Sequence, residues 1–202
     1  MIAQVVAIEW EMFQKVSNIG GRASCQDNIK TFTVMRSTQT SAWSEAVLNS
    51  YLEDLKEAKS NGTNLLTEKY ARMMEFTSPK EYANIQQHLA PIEDEKRLLI
   101  DKIVEINVLW SKELQIKFPY VRQRGRPTSA EDDNRYITSL ETYLRCELAT
   151  YSMRTVLLYY QNVLKQKSNN INGAELIMAD MVKQYGFKSL DEANQQLKIN
   201  AQ

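Results

Sequence analysis

Three observations predict an all-α protein, a helical bundle of about eight to ten helices. Glycine and proline are sparse, at six and four of 202 residues, whereas turn-rich β-folds need more of both. Apolar residues recur at steps of three and four through most of the chain, which is the period of an amphipathic helix. Segments of similar order also occur in both halves of the chain, which favours two similar helical units.

In the first half, the hydrophobic steps predict helices over residues 2–17, 41–59, 65–76 and 78–88. The first helix is expected to stop between Asn18 and Gly21, where glycine can adopt a left-handed conformation. Asn64 is a predicted cap for the third helix, and Pro79 stands at the first position of the fourth. Residues 31–40 carry strand-favouring residues without a partner strand. We therefore predict irregular structure there, leading into a helix.

The second half begins with the longest periodic stretch, Glu93 to Phe118, which Pro119 ends. Residues 121–135 follow as a polar loop that holds four arginines, one glycine and one proline. Further helices are predicted at about 138–148, 150–167, 173–185 and 189–198, with turns at Gly173 and Gly186.

The order of elements in the first half recurs in the second. Four residues have similar partners 108 positions later: Trp43 and Tyr151, Ser44 and Ser152, Tyr51 and Tyr159, Asn64 and Asn172. We therefore predict a single helical domain, 1–202, made of two repeats, 1–90 and 91–202, that pack about a pseudo-twofold axis. The alternative is a chance match between amphipathic helices.

The composition argues against several classes of function. Lysine plus arginine equals aspartate plus glutamate, at 25 each, so a global basic field for nucleic acid or membrane is absent. Two cysteines cannot build a disulfide framework, and no apolar run approaches the roughly 18 residues of a membrane span. The first residues have no basic segment of a signal peptide, so a cytoplasmic location is expected. One histidine and two scattered cysteines predict no metal site, and no cofactor is predicted.

Arginines gather around two loops, at residues 21–24 and 125–128, that the repeat makes equivalent. Guanidinium groups suit the recognition of phosphate or carboxylate, so we predict a cleft that binds an anionic small molecule, nucleotide or peptide. The alternatives are structural salt bridges between arginine and glutamate across the two halves, and binding to a nucleic-acid backbone. The predicted ligand contacts are Trp10, Glu11, Arg22, Arg36, Trp110, Arg124, Arg126, Glu141 and Arg145.

Cys25 is the candidate catalytic residue. It follows a helix break and lies near Arg22, and a cation beside a thiol lowers its pKa and favours the nucleophilic thiolate. This predicts, as an alternative function, a cysteine-dependent enzyme of group transfer or peptide modification. The structural alternative is that Cys25 is a small buried apolar residue. Cys146, on a predicted helix next to Arg145, is predicted to lie in the core.

Five segments, which together span nearly the whole chain, carry a resemblance to a known family. They are WEMFQKVSNIGGRASCQ (10–26), NLLTEKYARMME (64–75), RGRP (124–127), SLETYLRCELATYS (139–152) and VKQYGFKSLDEA (182–193). The sequence resembles a bacterial family of uncharacterised proteins, domain-of-unknown-function family 4125. Members occur beside, or fused to, a nucleotidyltransferase-like domain. The resemblance therefore implies, as a third hypothesis, a helical module that interacts with such an enzyme. The family often carries glycine where this chain has Cys146, which favours Cys25 as the catalytic candidate.

Overall fold

The structure, a computed structural model, describes residues 1–17 and 21–200. Within these residues it contains eleven α-helices and three short 3-10 helices and no strand, which confirms the predicted all-α class. The part of the chain that is described also contains no helix long and apolar enough to cross a membrane. The helices are α1 (Ile2–Gln14), α2 (Ile29–Ser41), α3 (Glu45–Ser60), α4 (Leu65–Thr77), α5 (Pro79–Ile85), α6 (Asp94–Lys117), α7 (Pro119–Arg122), α8 (Leu140–Ala149), α9 (Met153–Ser168), α10 (Gly173–Gln184) and α11 (Leu190–Ile199).

Side-chain caps define where most of the longer helices begin. The Asn64 side chain accepts from the backbone N–H groups of Leu66 and Thr67 at 3.0 Å each, as its predicted role requires. Such a cap satisfies N–H groups that have no partner inside the helix. Equivalent caps begin α3, α8, α9, α10 and α11, and they are formed by Ser44, Ser139, Ser152, Asn172 and Ser189.

The prediction of irregular structure over residues 31–40 is wrong, because these residues form most of α2. The Asn28 side chain accepts from the N–H of Thr31 at 2.9 Å and begins the helix. The hydroxyls of Thr38 and Thr40 donate to carbonyls four residues earlier, at 2.9 and 2.8 Å, so these buried polar groups are satisfied within α2. Packing on α1 and α10 then outweighs a weak helix propensity.

The end of α1 was predicted at a stop between Asn18 and Gly21. The helix ends at Gln14, and residues 18–20 lie outside the described residues. Gly21 has φ of +86°, a left-handed conformation that glycine adopts without strain, and it lies in the turn beyond the end of the helix.

Helices of the two halves have matching packing partners. α1 packs on α2, α3 and α4, and α6 packs on α8, α9 and α10. α3 and α9 pack on each other, while α4 packs on α8 and α10 packs on α2. The capping asparagines also match: the Asn64 amide donates to Met12 O at 2.8 Å, and the Asn172 amide donates to Trp110 O at 3.1 Å. Two similar halves would produce this pattern. The internal duplication and its boundary stay predictions.

Aromatic rings fill the contact between the halves. The ring centroids of Tyr51 and Tyr151 are 4.4 Å apart, and Trp43 presents an edge to both rings and to Tyr159. These side chains belong to the larger of two apolar clusters, which joins α1, α3, α4, α6, α8 and α9. The smaller cluster, around Phe118 and Leu190, holds α7 and α11 to the end of α6.

Candidate functional site

Arg22 holds the turn that follows α1. Its Nε donates to Asp27 at 2.8 Å, and its Nη2 donates to the backbone oxygen of Gln26 at 2.7 Å. The Gln26 side chain is buried and donates to the carbonyls of Phe13 and Val16, which fixes the turn against the end of α1. Arg22 therefore has structural partners of its own in this loop.

Cys25 lies in the same turn and is exposed, as a free thiol. The alternative that Cys25 is a buried apolar residue is therefore wrong. Cys146 is buried, as predicted. Burial raises the pKa of the Cys146 thiol to about 12, so this thiol stays protonated at neutral pH and serves as a packing group.

The second arginine loop is held by Arg122, which is buried. Its guanidinium donates to Ser111 Oγ and Thr128 Oγ1 at 2.9 Å each, and to the backbone oxygen of Arg126 at 2.6 Å. Arg126 itself donates to Thr138 O at 2.9 Å, and its guanidinium carbon lies 4.6 Å from the ring centroid of Tyr143. The two arginines therefore fix the path of the loop.

Three other predicted contacts of this half lie at the surface or near it. Arg124 is exposed in the loop. The Glu141 carboxylate accepts from the N–H of Ala130 at 2.9 Å. Arg145, on α8, pairs with Asp101 and lies 3.6 Å from Glu141. Their role as ligand contacts stays a prediction.

The two tryptophans that were predicted as ligand contacts pack within the protein. The Trp10 ring lies 5.1 Å from the ring of Phe32, between centroids. Trp110 is buried and packs on Gly173, where an added Cβ would lie 2.7 Å from a ring carbon. Glu11 is exposed and pairs with Lys59 at 2.6 Å, which lowers the pKa of Glu11. None of these three predicted contacts lines the groove described below.

Arg36, by contrast, lies at the centre of a buried network. Its guanidinium donates to both carboxylate oxygens of Glu9 and lies 2.9 Å from a carboxylate oxygen of Glu147. The exposed fractions of the Arg36, Glu9 and Glu147 side chains are 6, 1 and 3%. Tyr51 donates to Glu9 at 2.7 Å, and Tyr151 donates to Glu147 at 2.8 Å. Arg36 thus joins a carboxylate of the first half to one of the second.

Lys69 completes this buried network, which comprises the ionic groups Glu9, Arg36, Lys69 and Glu147 with their tyrosines. The ammonium of Lys69 lies 3.4 Å from Glu147 and donates to Tyr143 at 2.7 Å. Burial by itself would raise the pKa of Glu147, but Arg36 and Lys69 hold it at about 2. Two anions therefore balance two cations. For Arg36 the geometry is that of a structural ion pair across the halves.

A groove of about 580 Å³ lies on another side of α8, between α4, residues 82–92 and the start of α6. Three arginines line it, and we call it the arginine groove: Arg72 from α4, Arg97 from α6 and Arg145 from α8. Its floor includes Cys146 and Ile100, both buried. Of the predicted ligand contacts, Arg145 is the one that lines it.

The three arginines of the groove differ in how firmly they are held. Arg72 donates twice to Glu68, at 3.0 and 2.6 Å, and once to Ala90 O at 2.7 Å. Arg145 has its pairs with Asp101 and Glu141 at a half-buried position. Arg97 is exposed, and among the described residues the one hydrogen bond of its side chain is a 3.5 Å contact to Ile92 O. Arg97 therefore has the capacity to bind an external anion, whereas Arg145 binds one only by exchanging a partner at its half-buried position.

Sequence reasoning missed Glu9 and Lys69 of the buried network and two arginines of the groove. Glu9 stands between Val5, Met12 and Phe13 at helical steps, so its position on an apolar face was a readable signal. Arg72 and Arg97 had no such signal, since their meeting depends on how α4 and α6 pack. Within the described residues, no group of three or more histidine, cysteine, aspartate or glutamate side chains is arranged to hold a metal ion.

Comparison with known proteins identifies the family. A family described as "Protein of unknown function (DUF4125)" matches residues 1–195, which include the whole buried network and the arginine groove. No curated protein and no solved structure matches the chain. Because the match extends over nearly the full length, this chain belongs to the DUF4125 family.

Proposed function

We propose that this protein is a cytosolic ligand-binding or accessory protein whose arginine groove takes up a small anionic molecule. One observation carries the proposal: Arg72, Arg97 and Arg145 converge from three helices on a single concavity with an apolar floor. Its volume of about 580 Å³ lies within the range of roughly 300–1,000 Å³ that small-molecule sites occupy. The free thiols of both cysteines suit a reducing compartment.

The roles of the three arginines follow from their partners. Arg97 and Arg145 would bind the anion, since guanidinium forks match carboxylate and phosphate oxygens. Exchanging Arg145 from Asp101 to a ligand costs little, because partly exposed ion pairs contribute little stability. Arg72 would shape the wall, since its fork is held by Glu68 and Ala90.

The test is a ligand panel measured by thermal shift and then by calorimetry. The panel contains phosphate, nucleotides, aromatic carboxylates and acidic peptides, because any ligand of the native state raises the Tm. We expect at least one member to raise the Tm, and we expect Arg97→Gln and Arg145→Gln to weaken its binding. Arg154→Gln is the matched control, because Arg154 is exposed on α9 and pairs with Glu53 outside the groove. Binding that survives both groove variants, or no response at all, rejects the proposal.

A cysteine-dependent enzyme is the second candidate function, and the exposure of Cys25 favours it. Alkylation by iodoacetamide near pH 7, followed by mass spectrometry of the Cys25 and Cys146 peptides, measures the reactivity of each thiol. A catalytic Cys25 must react faster than a free thiol such as glutathione at the same pH. The buried Cys146 is the internal control and should stay unmodified in the folded protein. A Cys25 rate equal to that of glutathione rejects this candidate.

A further inference from the structure

The arginine groove also contains a carboxylate, that of Glu75. Glu75 is exposed on α4, one turn after Arg72, and lines the same concavity. The ion pairs found among the described residues include none with Glu75. The groove therefore presents both a cationic group, on Arg97 and Arg145, and an anionic group without an ion-pair partner in the described part of the chain.

The Glu75 carboxylate also influences two other groups that line the groove, Tyr82 and Cys146. Burial raises the pKa of Tyr82, and the charge of Glu75 raises it further, while Arg72 opposes the shift. Glu75 has the same effect on the buried thiol of Cys146. Both effects agree with the geometry, in which Glu75, Tyr82 and Arg72 line the groove together with Cys146.

Apart from Gln86 and Gln87, the rest of the lining is apolar or aromatic. Phe76, which is 39% exposed, and Tyr82, on α5, both line the groove. Leu89 and Ile92 continue this apolar wall toward the start of α6. An exposed aromatic ring next to an apolar wall gains free energy when a ligand covers it.

We propose that the arginine groove binds a zwitterion with an apolar side chain, namely a short peptide with free termini. The ligand carboxylate binds Arg97 and Arg145, its ammonium binds Glu75, and its side chain packs between Phe76 and Tyr82. The inference rests on the proposed function, since it names the chemical class of the anionic molecule. A ligand with phosphate alone leaves Glu75 without a partner and adds a second negative charge beside it.

The experiment compares three forms of the dipeptide Ala-Phe by titration calorimetry. The free form has both charges, the N-acetyl form lacks the ammonium, and the C-amide lacks the carboxylate. We expect each blocked form to bind about tenfold more weakly than the free form, since each loses a charge-assisted hydrogen bond. Glu75→Gln should weaken binding of the free dipeptide by the same factor and leave the affinity for the N-acetyl form unchanged. Arg97→Gln should weaken the free and N-acetyl forms and leave the C-amide unchanged.

Glu81→Gln is the control, because Glu81 is exposed on α5 and does not line the groove. The proposal of a zwitterionic ligand is overturned if the free and N-acetyl forms bind with equal affinity, or if Glu75→Gln does not change the affinity for the free form. Binding of phosphate or a nucleotide without binding of any dipeptide also overturns it. In each of these cases the proposed anion site stands if Arg97→Gln still weakens the binding of the ligand that does bind. If neither the dipeptides nor the panel binds, both proposals are overturned.

Discussion

The buried network and the arginine groove are built from the same residue types but differ in solvent access. In the network, Arg36 is 6% exposed and lies between the carboxylates of Glu9 and Glu147. In the groove, Arg97 is exposed and has one long contact to a backbone oxygen among the described residues. The first arginine is fully engaged within the protein, and the second has capacity for an external partner.

This difference shows that residue type alone does not identify a binding site. Removing a charge from water is costly, so a buried guanidinium needs partners that the fold itself supplies. An exposed guanidinium keeps its hydration and can exchange water for a ligand at small cost. Arg36 and Arg145 were both predicted to contact the ligand, yet they lie on opposite sides of this division. The predictions below test that division, from the largest expected effect to the smallest.

Breaking the network should cost the most stability. Arg36→Met leaves the Glu9 and Glu147 carboxylates buried without their shared cation, and we expect a loss of about 3–5 kcal/mol in the free energy of unfolding. Urea denaturation followed by circular dichroism measures it. Arg154→Met is the matched control, since its exposed pair with Glu53 should contribute less than about 1 kcal/mol. Equal losses in the two variants would show that the network does not stabilise the fold.

Acid should weaken the same network in a defined pH range. The pKa of Glu147 is about 2 in the folded protein, below the ordinary value of 4.5 that the unfolded chain keeps. Its contribution to stability is therefore complete above about pH 5 and decreases as the pH falls toward 2, by about 3 kcal/mol in total. Urea denaturation at several pH values measures the decline. Glu147→Gln should decline less steeply with acid than the wild type. Equal declines of the free energy of unfolding in the wild type and in Glu147→Gln would contradict the assignment of this acid sensitivity to Glu147.

The sequence predicted the helices well because apolar steps and caps are local. Asn64 and the steps of α6 required no knowledge of the tertiary structure. The pairing of Glu9 with Arg36 could not be predicted because the two residues are distant: Glu9 is 27 residues from Arg36, on another helix. Glu11 was predicted as a ligand contact, and two residues along a helix turn the side chain by about 200°. Glu11 therefore points to Lys59 at the surface, while Glu9 points inward.

The candidate groove was only partly accessible to sequence reasoning, for the same reason. Arg145 was predicted to contact a ligand and does line the groove. Arg72 and Arg97 come from α4 and α6, and their position beside Arg145 depends on helix packing. Trp110 was predicted to contact the ligand. The ring is buried and packs on Gly173, where the absence of a Cβ allows the close approach of α10.

The contact of Trp110 with Gly173 provides a test of whether the Trp110 ring is part of the packed core. Gly173→Ala places a Cβ 2.7 Å from a ring carbon of Trp110, and we expect overpacking to cost about 1–3 kcal/mol. A double-mutant cycle with Trp110→Phe, measured by urea denaturation, isolates the contact. In the Trp110→Phe background, Gly173→Ala should cost less. An unchanged cost would assign the effect to another neighbour, such as Gln166.

The smallest effect on stability should come from the groove. Arg97→Gln removes an exposed charge with no close partner among the described residues, so we expect the free energy of unfolding to change by no more than about 0.5 kcal/mol. The same variant should weaken anion binding about tenfold, because the ligand loses a charge-assisted hydrogen bond. Urea denaturation and calorimetry on one protein sample measure both quantities. A loss of stability as large as that of Arg36→Met would make Arg97 a structural residue, and the division between a closed network and an open groove would fail. A loss of affinity without a loss of stability would establish it, since only a group with spare hydrogen-bonding capacity separates the two effects.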